Sequence, residues 1–137
     1  MKTKAIALIL MIVTIISLLP CTVNAASADN TISPLWQNTN NINCQIYTDS
    51  NGYAYAEATV VGYTTVNKIS ATVYIYRQNG SSWEYVGEEY KTVNNFLLTI
   101  SCKFTPTQGS YYRADYTFVV TKNGVDETIS KSRYKSF

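Results

Sequence analysis

From Ile42 onward, apolar side chains recur at every second residue. That period restricts what the chain can become. Alternation sends successive side chains to opposite faces of an extended strand, whereas a helix needs a period near 3.6. The clearest stretch is residues 96–104, where Phe96, Leu98, Ile100, Cys102 and Phe104 share one face. In residues 111–121 the same face carries Tyr112, Ala114, Tyr116, Phe118 and Val120. Residues 42–47, 53–61 and 68–77 alternate in the same way, and residues 83–93 and 127–134 complete a set of about seven strands.

Turn chemistry separates these runs. Asp49-Ser50-Asn51-Gly52, Asn79-Gly80-Ser81-Ser82 and Pro106-Thr107-Gln108-Gly109 are clusters of residues that bend the backbone readily. Asn123-Gly124 is the strongest short hairpin signal in the chain. Gly87 marks a bulge within the fourth strand. Many short antiparallel strands and no helical pattern predict an all-β fold, a two-sheet antiparallel sandwich of immunoglobulin- or fibronectin-like architecture. A small closed barrel is the alternative.

Ahead of the strands lies a different composition. Lys2 and Lys4 precede an apolar run over residues 5–19, Pro20 ends it, and Val23-Asn24-Ala25 supplies small residues for cleavage. This is the layout of a secretory signal peptide over residues 1–25. The run is shorter than a spanning helix requires, so no stable membrane insertion is expected after cleavage. Cys21 raises the lesser alternative of a lipid anchor, against which the preceding proline argues. Residues 26–41 are polar and read as a flexible leader or an irregular edge strand, with Ile32, Leu35 and Trp36 tucked onto the sheet. The folded domain is expected over residues 42–137, the size of one domain. Without Lys2 and Lys4, the 11 basic residues no longer outnumber the 9 acidic ones. A neutral chain lacks the charge that attracts nucleic-acid backbones, so no nucleic-acid partner is expected.

Export has a consequence for the cysteines. Cys21 leaves with the signal, and Cys44 and Cys102 remain in an oxidising compartment. Both lie on apolar faces, so they are expected to form a disulfide across the core that pins the two sheets together.

Four further stretches occur in order: Lys68-Ile69-Ser70-Ala71-Thr72, Gly80-Ser81-Ser82-Trp83, Gly109-Ser110-Tyr111-Tyr112-Arg113-Ala114 and Glu127-Thr128-Ile129-Ser130-Lys131. Together they resemble a group of short, exported, uncharacterised proteins of Gram-positive bacteria. The resemblance covers residues 53–137 and the signal. It implies a small secreted β-sandwich and brings no catalytic residues with it.

Catalysis finds little footing. The chain has no histidine, which removes imidazole-based nucleophile activation and imidazole metal ligands. No metal and no cofactor are expected. A hydrolase would need two positioned carboxylates, and the candidates Glu57, Glu84, Glu88, Glu89, Asp115, Asp126 and Glu127 read as surface charge. The basic ending Lys131, Arg133 and Lys135 could touch anionic wall polymers, and reads more simply as a solubilising surface.

Tyrosine is the compositional outlier, at 12 residues against 4 phenylalanines. If the second and third strands form a hairpin, Tyr55 pairs with Tyr74 and Tyr53 with Tyr76. Ala54, Ala56 and Ala58 then face Ile75, Val73 and Ala71. Four outward tyrosines in one patch could stack on sugar rings or anchor a protein. They could equally stabilise an exposed sheet face. The reading is therefore a secreted, non-enzymatic binding module for an extracellular glycan, wall polymer or protein, with Tyr53, Tyr55, Tyr74 and Tyr76 as candidate binding residues. A secreted antimicrobial or toxin-like effector is the alternative, and a small carboxylate-based hydrolase the third.

One hairpin sets two requirements against each other. A two-residue turn at Asn123-Gly124 pairs Phe118 with Ile129, but it also sends Lys131 and Arg133 to the core face. A bulge between Ile129 and Lys131 is expected to resolve this.

Overall fold

A computed structural model of the protein describes residues 35–137. The expected signal peptide, most of the leader and Ile32 lie outside the described residues. Seven strands run in order: β1 (Thr39–Thr48), β2 (Ala54–Gly62), β3 (Lys68–Asn79), β4 (Ser82–Val93), β5 (Leu97–Phe104), β6 (Tyr111–Lys122) and β7 (Val125–Ser136). No helix occurs among the described residues. All pairings are antiparallel, in a three-stranded sheet ordered β1-β2-β5 and a four-stranded sheet ordered β4-β3-β6-β7. The fold is the expected two-sheet sandwich, with β4 joined to the sheet of β3 and β6.

The alternating residues make the core. On β2, Ala54, Ala56, Ala58 and Val60 are buried. On β6, Tyr112, Ala114, Tyr116, Phe118 and Val120 are buried. A small-residue central strand in one layer meets a bulky one in the other, which fills a gap of about 10 Å between sheets without strain. At the turn before β6, the Tyr112 hydroxyl accepts a hydrogen bond from the Thr107 N–H at 2.9 Å. This is the tyrosine corner that immunoglobulin-like sandwiches use to fix this crossing. Phe96 departs from the expected pattern: it precedes β5 and is exposed.

The hairpin on which the four-tyrosine patch was conditional, between the second and third strands, does not form. β2 and β3 belong to different sheets. The five residues between them carry the chain across the sandwich, because Val66 buries itself there. Its side chain occupies the space beside Gly62, where an added Cβ would lie 2.9 Å from Val66 Cγ2. Ala54, Ala56 and Ala58 therefore pair with Phe104, Cys102 and Ile100 rather than with β3.

The expected disulfide is also absent. Cys44 and Cys102 are both buried and both free. They lie in the same sheet, on β1 and β5, with β2 between them. Cys44 pairs with Ala58, while Cys102 pairs with Ala56. Two strand spacings of about 4.8 Å each, plus that offset, exceed the roughly 7 Å between Cα atoms that a bridge tolerates. An inward face does not determine which strands are neighbours, and here strand order puts both cysteines in one sheet, where no bond between them could pin two sheets together. Burial raises the Cys44 thiol to about 11, against the pull of Arg133 and Lys131. Burial also raises Cys102.

The last hairpin resolves its conflict without a bulge. Lys122 pairs with Val125, and the register runs unbroken through Phe118–Ile129 and Tyr116–Lys131 to Tyr111–Ser136. Lys131 and Arg133 do face inward, and they can because β7 is an edge strand. Arg133 Nε donates to the Cys44 carbonyl at 2.9 Å, and Lys131 Nζ sits 5.2 Å over the Trp36 ring. Trp36 packs on the core as expected, but Leu35 does not, being 98% exposed. The bulge beside Gly87 is present: Ile75 pairs with Gly87 and Tyr76 with Tyr85, leaving Val86 extra.

β1 starts three residues ahead of the expected domain boundary, and the segment before it is anchored. Glu127 accepts hydrogen bonds from the Gln37 and Asn38 N–H groups and from the Thr39 hydroxyl. Asn38 Nδ2 donates to the Val120 and Val125 carbonyls.

Candidate functional site

Separating β2 from β3 divides the four candidate tyrosines between the two outer faces. Tyr53 and Tyr55 go with the three-stranded sheet, and Tyr74 and Tyr76 with the four-stranded one. The four-tyrosine patch therefore does not exist, and each pair has acquired other neighbours.

On the three-stranded sheet, Tyr47, Tyr55 and Lys103 fall in one cross-strand row. The Tyr47 and Tyr55 rings stack at 5.4 Å and 17°. Lys103 Nζ lies 3.5 Å from the Tyr53 ring centroid. The Tyr47 hydroxyl donates to Glu57, and the Tyr55 hydroxyl to Asp49. Burial and Glu57 both raise the Tyr47 phenol. The polar tips here are engaged within the sheet, which makes this a small, self-contained cluster.

On the four-stranded sheet the arrangement is larger. Alternation along β3 points Tyr74 and Tyr76 outward, and the register sets Tyr85 of β4 beside Tyr76. On the other side of Tyr76 comes Arg113 of β6, followed by Tyr134 of β7. One row thus crosses all four strands as Tyr85, Tyr76, Arg113, Tyr134. Trp83 packs 6.1 Å from Tyr111 and 6.2 Å from Tyr134, and Tyr111 and Tyr134 stack at 5.9 Å and 14°. Tyr76 lies 6.3 Å from Tyr85 and 6.5 Å from Tyr74. These separations are in the range where aromatic pairs attract.

Arg113 joins the two halves. Its guanidinium carbon is 4.6 Å from the Trp83 ring and 4.8 Å from the Tyr76 ring. Its Nε lies 3.0 Å from Asp115 Oδ2 without the alignment of a hydrogen bond, and it has no other partner among the described residues. A guanidinium held between two rings in this way gains cation–π attraction and keeps both rings in place. The result is an ordered platform whose outer members remain open: Tyr85 is 55% and Tyr134 53% exposed. Polar groups line its margin. Glu88 lies in the row of Tyr74 and Asp115. Burial raises the Tyr85 phenol, and Glu88 adds to the shift.

Five of the platform residues were not among the candidates: Trp83, Tyr85, Tyr111, Arg113 and Tyr134. The outward parity of Tyr111, Arg113 and Tyr134 is visible in the alternation of β6 and β7, whereas the bulge at Val86 interrupts that of β4, which carries Trp83 and Tyr85. Their adjacency depends on β3 lying between β4 and β6, which periodicity does not encode.

The carboxylates considered for catalysis are dispersed. Glu57 accepts from Gln45 and Tyr47, and Glu84 pairs with Arg77. Asp126 accepts from the Thr121 hydroxyl, and Glu127 holds residues 37–39.

No family model matches the chain, and no curated protein matches it. Among solved structures, the chain is similar to the solution structure of CsgH from R. palustris, at 9% identity and a TM-score of 0.39, over 66% of this chain and 90% of that one. It is similar to β-glucuronidase from Parabacteroides merdae, at 18% identity and a TM-score of 0.41, over 72% of this chain and 13% of that one. It is also similar to wild-type OgpA from Akkermansia muciniphila, at 12% identity and a TM-score of 0.38, over 71% of this chain and 28% of that one.

Proposed function

We propose that this protein is an exported, non-enzymatic glycan-binding module, and that the outer face of the four-stranded sheet is its binding surface. The observation that carries the reading is the ring platform of Trp83, Tyr111 and Tyr134, joined through Arg113 to Tyr76 and Tyr85. Sugar rings present a flat CH face to an aromatic ring and hydroxyls to the polar groups around it. A platform of exposed rings with an acidic and hydroxyl margin suits both. Tyrosine and tryptophan give contact area at a small entropy cost. Holding Arg113 between two rings lowers that cost further, since the rings are ordered before a ligand arrives. The ion pair Arg113–Asp115 leaves the surface without a large single-sign field, which favours a neutral polysaccharide over a strongly anionic one.

The test is retention of the purified protein on insoluble polysaccharides: chitin, a β-glucan, and isolated bacterial cell walls. Retention on at least one, lost on Trp83→Ala or Tyr134→Ser and kept on Tyr53→Ser, supports the reading. Passage through every matrix, or equal retention of all three variants, overturns it.

A further inference from the structure

The four-stranded sheet ends on two long edges of opposite charge. β4 and β7 have 12 residues each, and neither has a strand hydrogen-bonded on its far side among the described residues. β4 carries Glu84, Glu88 and Glu89, then Lys91 near its end. β7 carries Asp126 and Glu127 at its start, then Lys131, Arg133 and Lys135. The two patterns match in position as well as in sign. Following the register across the sheet, Glu89 shares a row with Val73, Tyr116 and Lys131. Glu84 shares a row with Arg77, Tyr112 and Lys135. On the outer face, Tyr85 and Tyr134 end the same row.

We infer that β7 of one molecule pairs antiparallel with β4 of a second copy, so that the protein assembles edge to edge through its four-stranded sheet. β7 and β4 run in opposite directions within the sheet, so a copy set beside the first without rotation continues the antiparallel order. With no shift along the strands, Lys131 then faces Glu89 of the next copy, Lys135 faces Glu84, and Tyr134 meets Tyr85. Opposite charges across strands attract, and like charges in the same place repel. Edge charges usually block association. Here the charges of the two edges complement each other in the head-to-tail register. A head-to-tail contact does not use itself up, so copies continue into a ring or a filament. Each added copy lengthens the aromatic row across the outer face.

Sedimentation velocity of the purified protein over a range of concentrations, at low and high salt, reads the assembly directly. The expected result is concentration-dependent association that weakens as salt rises. Glu89→Lys alone and Lys131→Glu alone each lose it. An equimolar mixture of the two variants regains it, because each then offers the other a complementary edge. Lys135→Glu, which sets a like charge against Glu84 of the next copy, also loses association and keeps the test alive should the Lys131 variant fail to fold. A wild-type protein that stays monomeric throughout overturns the inference. So do single reversals that assemble like the wild type, or a mixture that stays dissociated while both variants show native circular dichroism.

Discussion

The Tyr112 hydroxyl accepts the Thr107 N–H at 2.9 Å while the Tyr112 ring lies buried 5.1 Å from Phe104. One side chain thus ties the end of β5, the crossing loop and the start of β6 together. Tyr112→Phe keeps the ring and removes the acceptor, leaving a part-buried N–H unpaired. The expected loss is about 1–2 kcal/mol, read as a lower urea midpoint with an unchanged slope. An unchanged midpoint would show that the corner contributes packing alone.

The buried thiols make stability fall in alkali. Burial raises Cys44 from an ordinary 9.0 to about 11, and it raises Cys102 and the Tyr116 phenol as well. Each is neutral when protonated, so between pH 9 and 11 the unfolded chain releases protons that the folded chain retains. Stability is complete below about pH 9 and declines as pH climbs toward 11. Urea melts at pH 7, 9 and 10.5 check the sign, and Cys44→Ala should flatten the slope. A reductant should leave the midpoint unmoved at pH 7, since there is no bond to break. A thiol titration should find both cysteines slow in the native state and both fast in urea.

How much of this was legible in advance follows from what periodicity encodes. Which side chains are buried on β2, β3, β5 and β6 was visible, since parity alone decides it. Strand neighbours were not visible. The five residues after Gly62 looked like a hairpin loop, but they carry the chain to the other sheet on the strength of Val66. That one crossing dissolved the expected tyrosine patch. The disulfide failed through the same limit: Cys44 and Cys102 both face inward, but strand order sets β2 between them. The inward charges of Lys131 and Arg133 looked like an error of register. They are explained by β7 lying at an edge, where a long side chain can reach the Cys44 carbonyl or Trp36. Trp83 and Tyr134, 51 residues apart by their numbers, come together only because β3 and β6 both lie between their strands.

Glu127 holds the segment ahead of β1 against the β6–β7 hairpin. Three donors converge on its carboxylate: two backbone N–H groups and the Thr39 hydroxyl. Glu127→Ala removes every acceptor while Asn38 keeps its bonds to Val120 and Val125. The expected cost is roughly 1–3 kcal/mol. Amide hydrogen exchange should speed at residues 37–39 and the start of β1 while β3 and β6 keep their protection. Acceleration spread evenly over the molecule would mean that the clamp acts on global unfolding instead.

Arg113 separates the platform's order from its chemistry. Its guanidinium lies between Trp83 and Tyr76, and its attraction to exposed rings is worth about 0.5–1 kcal/mol for each. Arg113→Lys retains a charge but not the flat group that fills the space between two rings. Stability should fall by about 1 kcal/mol, and the fluorescence of Trp83 should shift as its ring loosens, read in a Trp36→Phe background. If the platform binds glycan by stacking, affinity for the retained polysaccharide should drop about tenfold, because the rings must then be ordered on binding. Trp83→Ala, which removes the stacking surface itself, should cost more than Arg113→Lys. Were Arg113→Lys the worse of the two, the guanidinium would be touching the ligand, and the rings would be its support rather than the binding surface.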